Sequence, residues 1–119
     1  MSLILAVDDT RLLRNMLSDC LRAAGHEVVE AENGADALAQ LKAHRPDMVI
    51  TDLNMPVMDG LDFIENARKE PEGASLPMLL LTTETAHELK ERAREVRATG
   101  WIAKPFDPEQ IVGLVERLT

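Results

Sequence analysis

Five side chains of this sequence could together do chemistry that none does alone: Asp8, Asp9, Asp52, Thr82 and Lys104. Asp52 ends the apolar run Met48-Val49-Ile50 and opens Leu53-Asn54-Met55-Pro56-Val57-Met58-Asp59-Gly60, and Asp8-Asp9 end a second run, Leu3 to Val7. If these runs are neighbouring strands of one sheet, three carboxylates crowd one edge. Like charges at that range raise each other's pKa and destabilise the fold unless a cation sits among them. Hard carboxylate oxygens, a backbone carbonyl and waters suit octahedral Mg²⁺, and the absence of a Cys/His cluster excludes a structural zinc site. An aspartate beside such an ion can attack a phosphoryl group and carry it as an acyl phosphate. The ion and a lysine ammonium then neutralise charge on the transferring oxygens, and a hydroxyl such as that of Thr82 bonds one of them. Taken singly, Asp8-Asp9 would be a helix-capping or turn pair, Thr82 a strand end, Lys104 a solvated lysine and Asp59-Gly60 a turn, with Met55 and Met58 packing a loop. Their joint placement favours the site.

That placement depends on the elements that carry them. Short apolar runs alternate with helix-period segments five times, the pattern of an α/β fold with a parallel sheet covered by helices on both faces. Leu3–Val7 reads as a central strand. A helix follows from a cap at Thr10, with apolar positions 12, 13, 16, 17, 20, 21 and 24, and Gly25 stops it. Glu27–Ala31 is less apolar and reads as the sheet edge, and Asn33 caps a second helix that Pro46 closes. Asp47–Thr51 is the third strand, Gly60–Lys69 the third helix, and Pro77–Leu81 a buried fourth strand ending at Thr82. The segment Glu84–Arg97 is highly charged, with only Ala86, Leu89, Ala93 and Val96 on one stripe, so it reads as the least firmly packed helix. Trp101–Ala103 is a short last strand ending at Lys104, and Asp107-Pro108 start a final helix with Ile111, Leu114, Val115 and Leu118. Ligands of an open parallel sheet bind outside the carboxyl ends of its strands, and the five reacting residues fall there on four different strands.

The 119 residues fit one domain, expected to span 1–119. A net charge of −8, with no dense Lys/Arg run, argues against nucleic acid. No apolar stretch reaches a bilayer span and no leader opens the chain, so neither membrane association nor export is expected and the cytoplasm is the simplest location. The single cysteine, Cys20, excludes an internal disulfide and, in phase with Leu13, Met16, Leu17 and Leu21, reads as a buried structural thiol. His26, His44 and His87 fall on surface or edge positions without mutual spacing and receive no role.

Asp8-Asp9, Asp52-Leu53-Asn54-Met55-Pro56-x-Met58-Asp59-Gly60, Thr82-Thr83-Glu84 and Lys104-Pro105-Phe106 together resemble the receiver domain of two-component response regulators. The resemblance spans nearly the whole chain and looks closest to the stand-alone chemotaxis (CheY-like) type. It implies a flavodoxin-like (βα)5 doubly wound parallel sheet of strand order 2-1-3-4-5, and Mg²⁺-dependent acceptance of a phosphoryl group by Asp52 from a histidine kinase or a histidine phosphotransfer domain. Asp9 and Asp52 would then ligate Mg²⁺ directly, Asn54 through its backbone carbonyl and Asp8 largely through water. Thr82 and Lys104 would hold phosphoryl oxygens. Trp101 would stand at the switch position, usually Tyr or Phe, and Asn54 and Glu84 would tune hydrolysis of the acyl phosphate. Lys104-Pro105 is expected to be cis. Thr83 stands where Ala or Gly is common, and Val96-Arg97 where Ala-Gly is frequent.

On this resemblance the chain is a monomeric switch, not an enzyme, with at most self-catalysed phosphoryl transfer and autodephosphorylation. Its phosphorylation would expose a surface for a target such as a flagellar-motor switch. The alternatives are a phosphate sink or phosphorelay intermediate, and an Asp-nucleophile phosphatase. Phosphatases of that kind place Asp-x-Asp after the first strand, whereas the nucleophile candidate here follows the third and position 54 is Asn.

Overall fold

The computed structural model describes residues 1–83 and 87–119. Five strands, β1 (Leu3–Val7), β2 (Glu27–Ala31), β3 (Met48–Asp52), β4 (Met78–Thr82) and β5 (Gly100–Ala103), form one parallel sheet in the order β2-β1-β3-β4-β5. Five helices alternate with them: α1 (Arg11–Ala23), α2 (Gly34–His44), α3 (Gly60–Arg68), α4 (His87–Glu95) and α5 (Pro108–Leu118). A 3-10 turn at Pro71–Gly73, unforeseen in the sequence, leads from α3 toward β4.

Strand side chains alternate between faces, so each strand feeds two cores. Leu5, Val7, Val49, Met78 and Leu80 point toward α2, α3 and α4, where Leu41, Phe63, Ile64 and Ala67 pack on them. Ile4, Ala6, Met48, Ile50, Leu79 and Leu81 meet Leu17 and Leu21 of α1 and Ile111 and Val115 of α5. β3 and β4 are buried along their whole length, as the inner strands of a doubly covered sheet must be. β2 is one edge, with β5 at the other, and is open enough for Arg14 and Arg22 to pair with Glu30 at 3.4 and 3.5 Å.

Helix starts follow their capping chemistry. Asn33 and Asp59 accept from the backbone N–H groups of Asp36 and Asp62, each at 2.8 Å, and Asp107 accepts from Glu109 with Pro108 in the first turn. Thr10 stands at the N-cap of α1 with extended backbone but makes no side-chain cap bond; the Thr10 N–H is instead taken by Asp8.

Several readings need correction. β3 begins and ends one residue later than expected, β4 begins one residue later, at Met78, and α3 stops at Arg68. The described part of α4, His87–Glu95, falls inside the expected Glu84–Arg97, of which residues 84–86, Ala86 of the stripe among them, lie outside the described residues. Leu12 and Met16, in phase with the α1 core stripe, are largely exposed, because two faces of α1 flank the stripe that Leu17 and Leu21 bury. Cys20 is half-buried, and burial raises its thiol pKa. His26 is buried: its Nδ1 accepts the Ser2 N–H at 3.2 Å, while Nε2 has no partner among the described residues.

Candidate functional site

β1 and β3 are paired neighbours with Val7 opposite Thr51, so Asp8 and Asp52 leave the sheet side by side at its carboxyl edge. One oxygen from each of Asp8, Asp9 and Asp52 lies within 4.8 Å of the others. Asp8 is 2% exposed and Asp52 6% exposed, whereas Asp9 faces solvent. The crowding expected of the sequence is therefore present, on two buried carboxylates and one open one.

Local bonds fix the two buried members. Asp8 Oδ1 accepts the Thr10 N–H at 2.9 Å, and its own carbonyl accepts from Arg14 Nη1 at 2.7 Å. The Thr51 hydroxyl donates to the Asp52 carbonyl at 2.9 Å. Gly60 lies against that same carbonyl so closely that a side chain there would collide with it, and its N–H donates to Leu53 at 2.8 Å. Thr51, Arg14 and Gly60 thus support the site from behind. Thr51 and Gly60 carried a readable signal, a hydroxyl inside an apolar strand and a glycine at a helix start; Arg14 carried none, since its bond to Asp8 depends on the approach of α1.

β5 brings the lysine. Lys104 follows Ala103, its N–H bonds the Thr82 carbonyl at 3.0 Å, and the peptide bond to Pro105 is cis. Lys104 Nζ stands 2.6 Å from Asp52 Oδ1 and 3.8 Å from Asp8 Oδ2. Thr82 is buried at the end of β4, two strands from Asp8 and one from Asp52. The structure brings all five predicted residues to one edge. Asn54 is exposed on the loop after Asp52, Trp101 is half-buried on β5 with Lys90 Nζ 5.7 Å from its ring centre, and Glu84 lies outside the described residues.

The electrostatics refine the sequence argument. The Asp8 carboxyl is pushed above its ordinary value first by burial; the Thr10 hydrogen bond lowers it, Asp52 raises it, Lys104 lowers it and Asp9 raises it again. At Asp8, lost solvation outweighs repulsion from the neighbouring carboxylates. Three carboxylates against one ammonium leave two negative charges over when all are ionised, and the donors are all oxygen. That set fits a hard divalent cation and offers nothing to a thiophilic one. Beside the cluster an open apolar pocket of about 250 Å³ is lined by Leu13, Met16, Leu81, Pro105 and Phe106. No helix among the described residues is long and apolar enough to cross a membrane.

Residues 4–116 match the family model described as response regulator receiver domain. Chemotaxis protein CheY-3 of Vibrio cholerae serotype O1 is 38% identical over 97% of this chain and 92% of its own length. A probable transcriptional regulatory protein of Mycobacterium tuberculosis, TcrX, is 37% identical over 92% of this chain, which spans 46% of that protein. The solved structure of chemotaxis protein CheY4 of Vibrio cholerae superposes with a TM-score of 0.95 at 43% identity, covering 100% of this chain and 99% of the other. An acidic cluster at a parallel sheet's carboxyl edge, the 2-1-3-4-5 strand order and these matches over nearly all of its length agree: the chain belongs to the response regulator receiver domains of two-component signalling.

Proposed function

We propose that this receiver domain is a cytoplasmic, chemotaxis-type switch that accepts a phosphoryl group on Asp52 from a histidine kinase or histidine phosphotransfer domain and then binds a protein target such as a flagellar-motor switch. The observation that carries the reading is the buried Asp52 carboxylate with Lys104 Nζ at 2.6 Å and two further aspartates beside it. Mg²⁺, held by Asp9, Asp52 and the Asn54 carbonyl with Asp8 behind them, would supply neutralising charge to the phosphoryl oxygens.

The chain's own residues do the rest. An Asp52 oxygen attacks phosphorus in line with the donor nitrogen; the P–N bond breaks and its electron pair stays on the leaving imidazole. The Lys104 ammonium, already on Asp52, is placed to follow charge onto the transferred group, and the Thr82 hydroxyl is drawn to another oxygen. The apolar pocket at Leu13, Met16 and Phe106 offers a donor domain a dry footing next to the acceptor. Movement of Thr82 frees space for Trp101 to turn inward, which alters the face made by α4 and β5. The output is binding, and the domain turns over no substrate beyond hydrolysing its own acyl phosphate, a step tuned by Asn54 and Glu84.

Incubation with acetyl phosphate and Mg²⁺ should add a single phosphoryl mass that Asp52→Asn abolishes, read by intact mass after a cold quench. With beryllofluoride and Mg²⁺ as a stable mimic, Trp101 emission should shift to the blue by an amount limited by its present half-burial. An adduct that persists in Asp52→Asn would assign acceptance to another residue.

A further inference from the structure

The loop joining β3 to α3 turns at Val57 in a conformation that valine opposes. Val57 has φ 71°, and the Met58 N–H donates to the Pro56 carbonyl at 2.7 Å, so Pro56-Val57-Met58 forms a γ-turn of the rarer, strained hand. Positive φ forces Cβ against the residue's own backbone, and a β-branched side chain suffers most. Packing does not offset this, since Val57 is 83% exposed.

The turn is held by what flanks it. On one side the Met58 carbonyl accepts the Gly34 N–H at 3.1 Å, and Met58 sits so near α2 that a Cβ at Gly34 would lie 2.7 Å from Met58 Cβ. Asn66 Nδ2 reaches Met58 Sδ at 3.9 Å. On the other side Gly60 is bonded to Leu53 and pressed on the Asp52 carbonyl. The segment from Leu53 to Gly60 is therefore a loop closed at both ends with a strained turn between. Any relaxation of Val57 must displace either Met58 or the Asn54-Met55 stretch next to Asp52.

We infer that Val57 is a positioning residue that sets the affinity of the site for its divalent cation, by holding the closed loop below full population. This rests on the reading of Asp8, Asp9, Asp52 and the Asn54 carbonyl as the cation site. A site whose competent form is only fractionally populated binds with its intrinsic affinity reduced by that fraction, so a residue at ease with positive φ restores the lost part. Backbone strain of this kind persists where the surrounding structure over-determines it, and it concentrates beside binding sites.

The test compares Val57→Gly, Val57→Asn and Val57→Thr in the full chain. Mg²⁺ affinity is read by calorimetric titration, and the melting midpoint is measured without the ion. Val57→Gly and Val57→Asn should bind Mg²⁺ several-fold more tightly. Val57→Asn, which adds little freedom to the unfolded chain, should also melt higher without Mg²⁺. Val57→Thr keeps the β-branch and should stay at the parent values. Parent affinity in both Gly and Asn variants, or equal tightening in Val57→Thr, overturns the inference while leaving the cation site standing. A parent chain that takes up no Mg²⁺ overturns the site itself and the inference with it.

Discussion

α3 and the described span of α4 are each nine residues long and lie on the same side of the sheet, yet they are attached by different means. α3 buries Gly60, Leu61, Phe63, Ile64 and Ala67, and Asp59 caps it. Among its described residues α4 buries only Ala93, with Leu89 half-covered and Val96 just past its end. What α4 lacks in apolar contact is supplied by polar ties to α3. Arg92 reaches Asp62 at 2.8 Å, and the Arg68 guanidinium bonds the Arg97 carbonyl at 3.2 and 2.8 Å. The same guanidinium also holds the carbonyls of Gly73 and Leu76 at 2.9 and 2.6 Å. Burial and the neighbouring Arg97 weaken its hold on its proton, the cost of placing a cation at this junction. A helix anchored by core fixes the loop that runs into it from Asp52. A helix anchored by side-chain ties can change position at small cost, which suits the element next to Trp101.

The sharpest way to break the comparison is truncation at matched sites. Phe63→Ala should cost about 3–5 kcal/mol and Leu89→Ala about 1 kcal/mol in urea unfolding, because only the first leaves a closed cavity. Equal losses would mean that α4 is anchored as firmly as α3. Next in size is Arg68→Met, which keeps the aliphatic stem and removes four hydrogen bonds. It should cost about 2 kcal/mol and speed amide exchange across α4 and β5 while sparing α3. Uniform acceleration in all helices would show global destabilisation in place of a released tie. The smallest effect belongs to Arg92→Ala. Its pair with Asp62 is about half exposed, so the loss should be roughly 0.2–1 kcal/mol and should vanish in high salt. A loss that survives high salt would make packing of the arginine stem, and not charge, the link between the helices.

The fold was legible because parallel inner strands read as unbroken apolar runs, and because each run ended on a polar residue that the sheet then lined up. The acidic site was legible for the same reason: Asp8, Asp52, Thr82 and Lys104 each close or directly follow such a run. What escaped depended on contacts between distant segments. His26 looked like an edge residue until the backbone of Ser2, 24 positions away, closed over it. Helical phase assigned Leu12 and Met16 to the core, but phase does not tell how wide a stripe the sheet can cover. The relative weight of burial over repulsion at Asp8 and the hydrogen bond from Arg14 likewise required the approach of α1 in space.

The collision awaiting any side chain at Gly60 has a consequence for how this sequence can diversify. Any side chain that replaces this glycine must displace the Asp52 carbonyl. In a saturation library selected for phosphoryl uptake, position 60 should therefore retain a single letter even though it bears no reacting atom. Its invariance would record the shape of the Asp52 backbone.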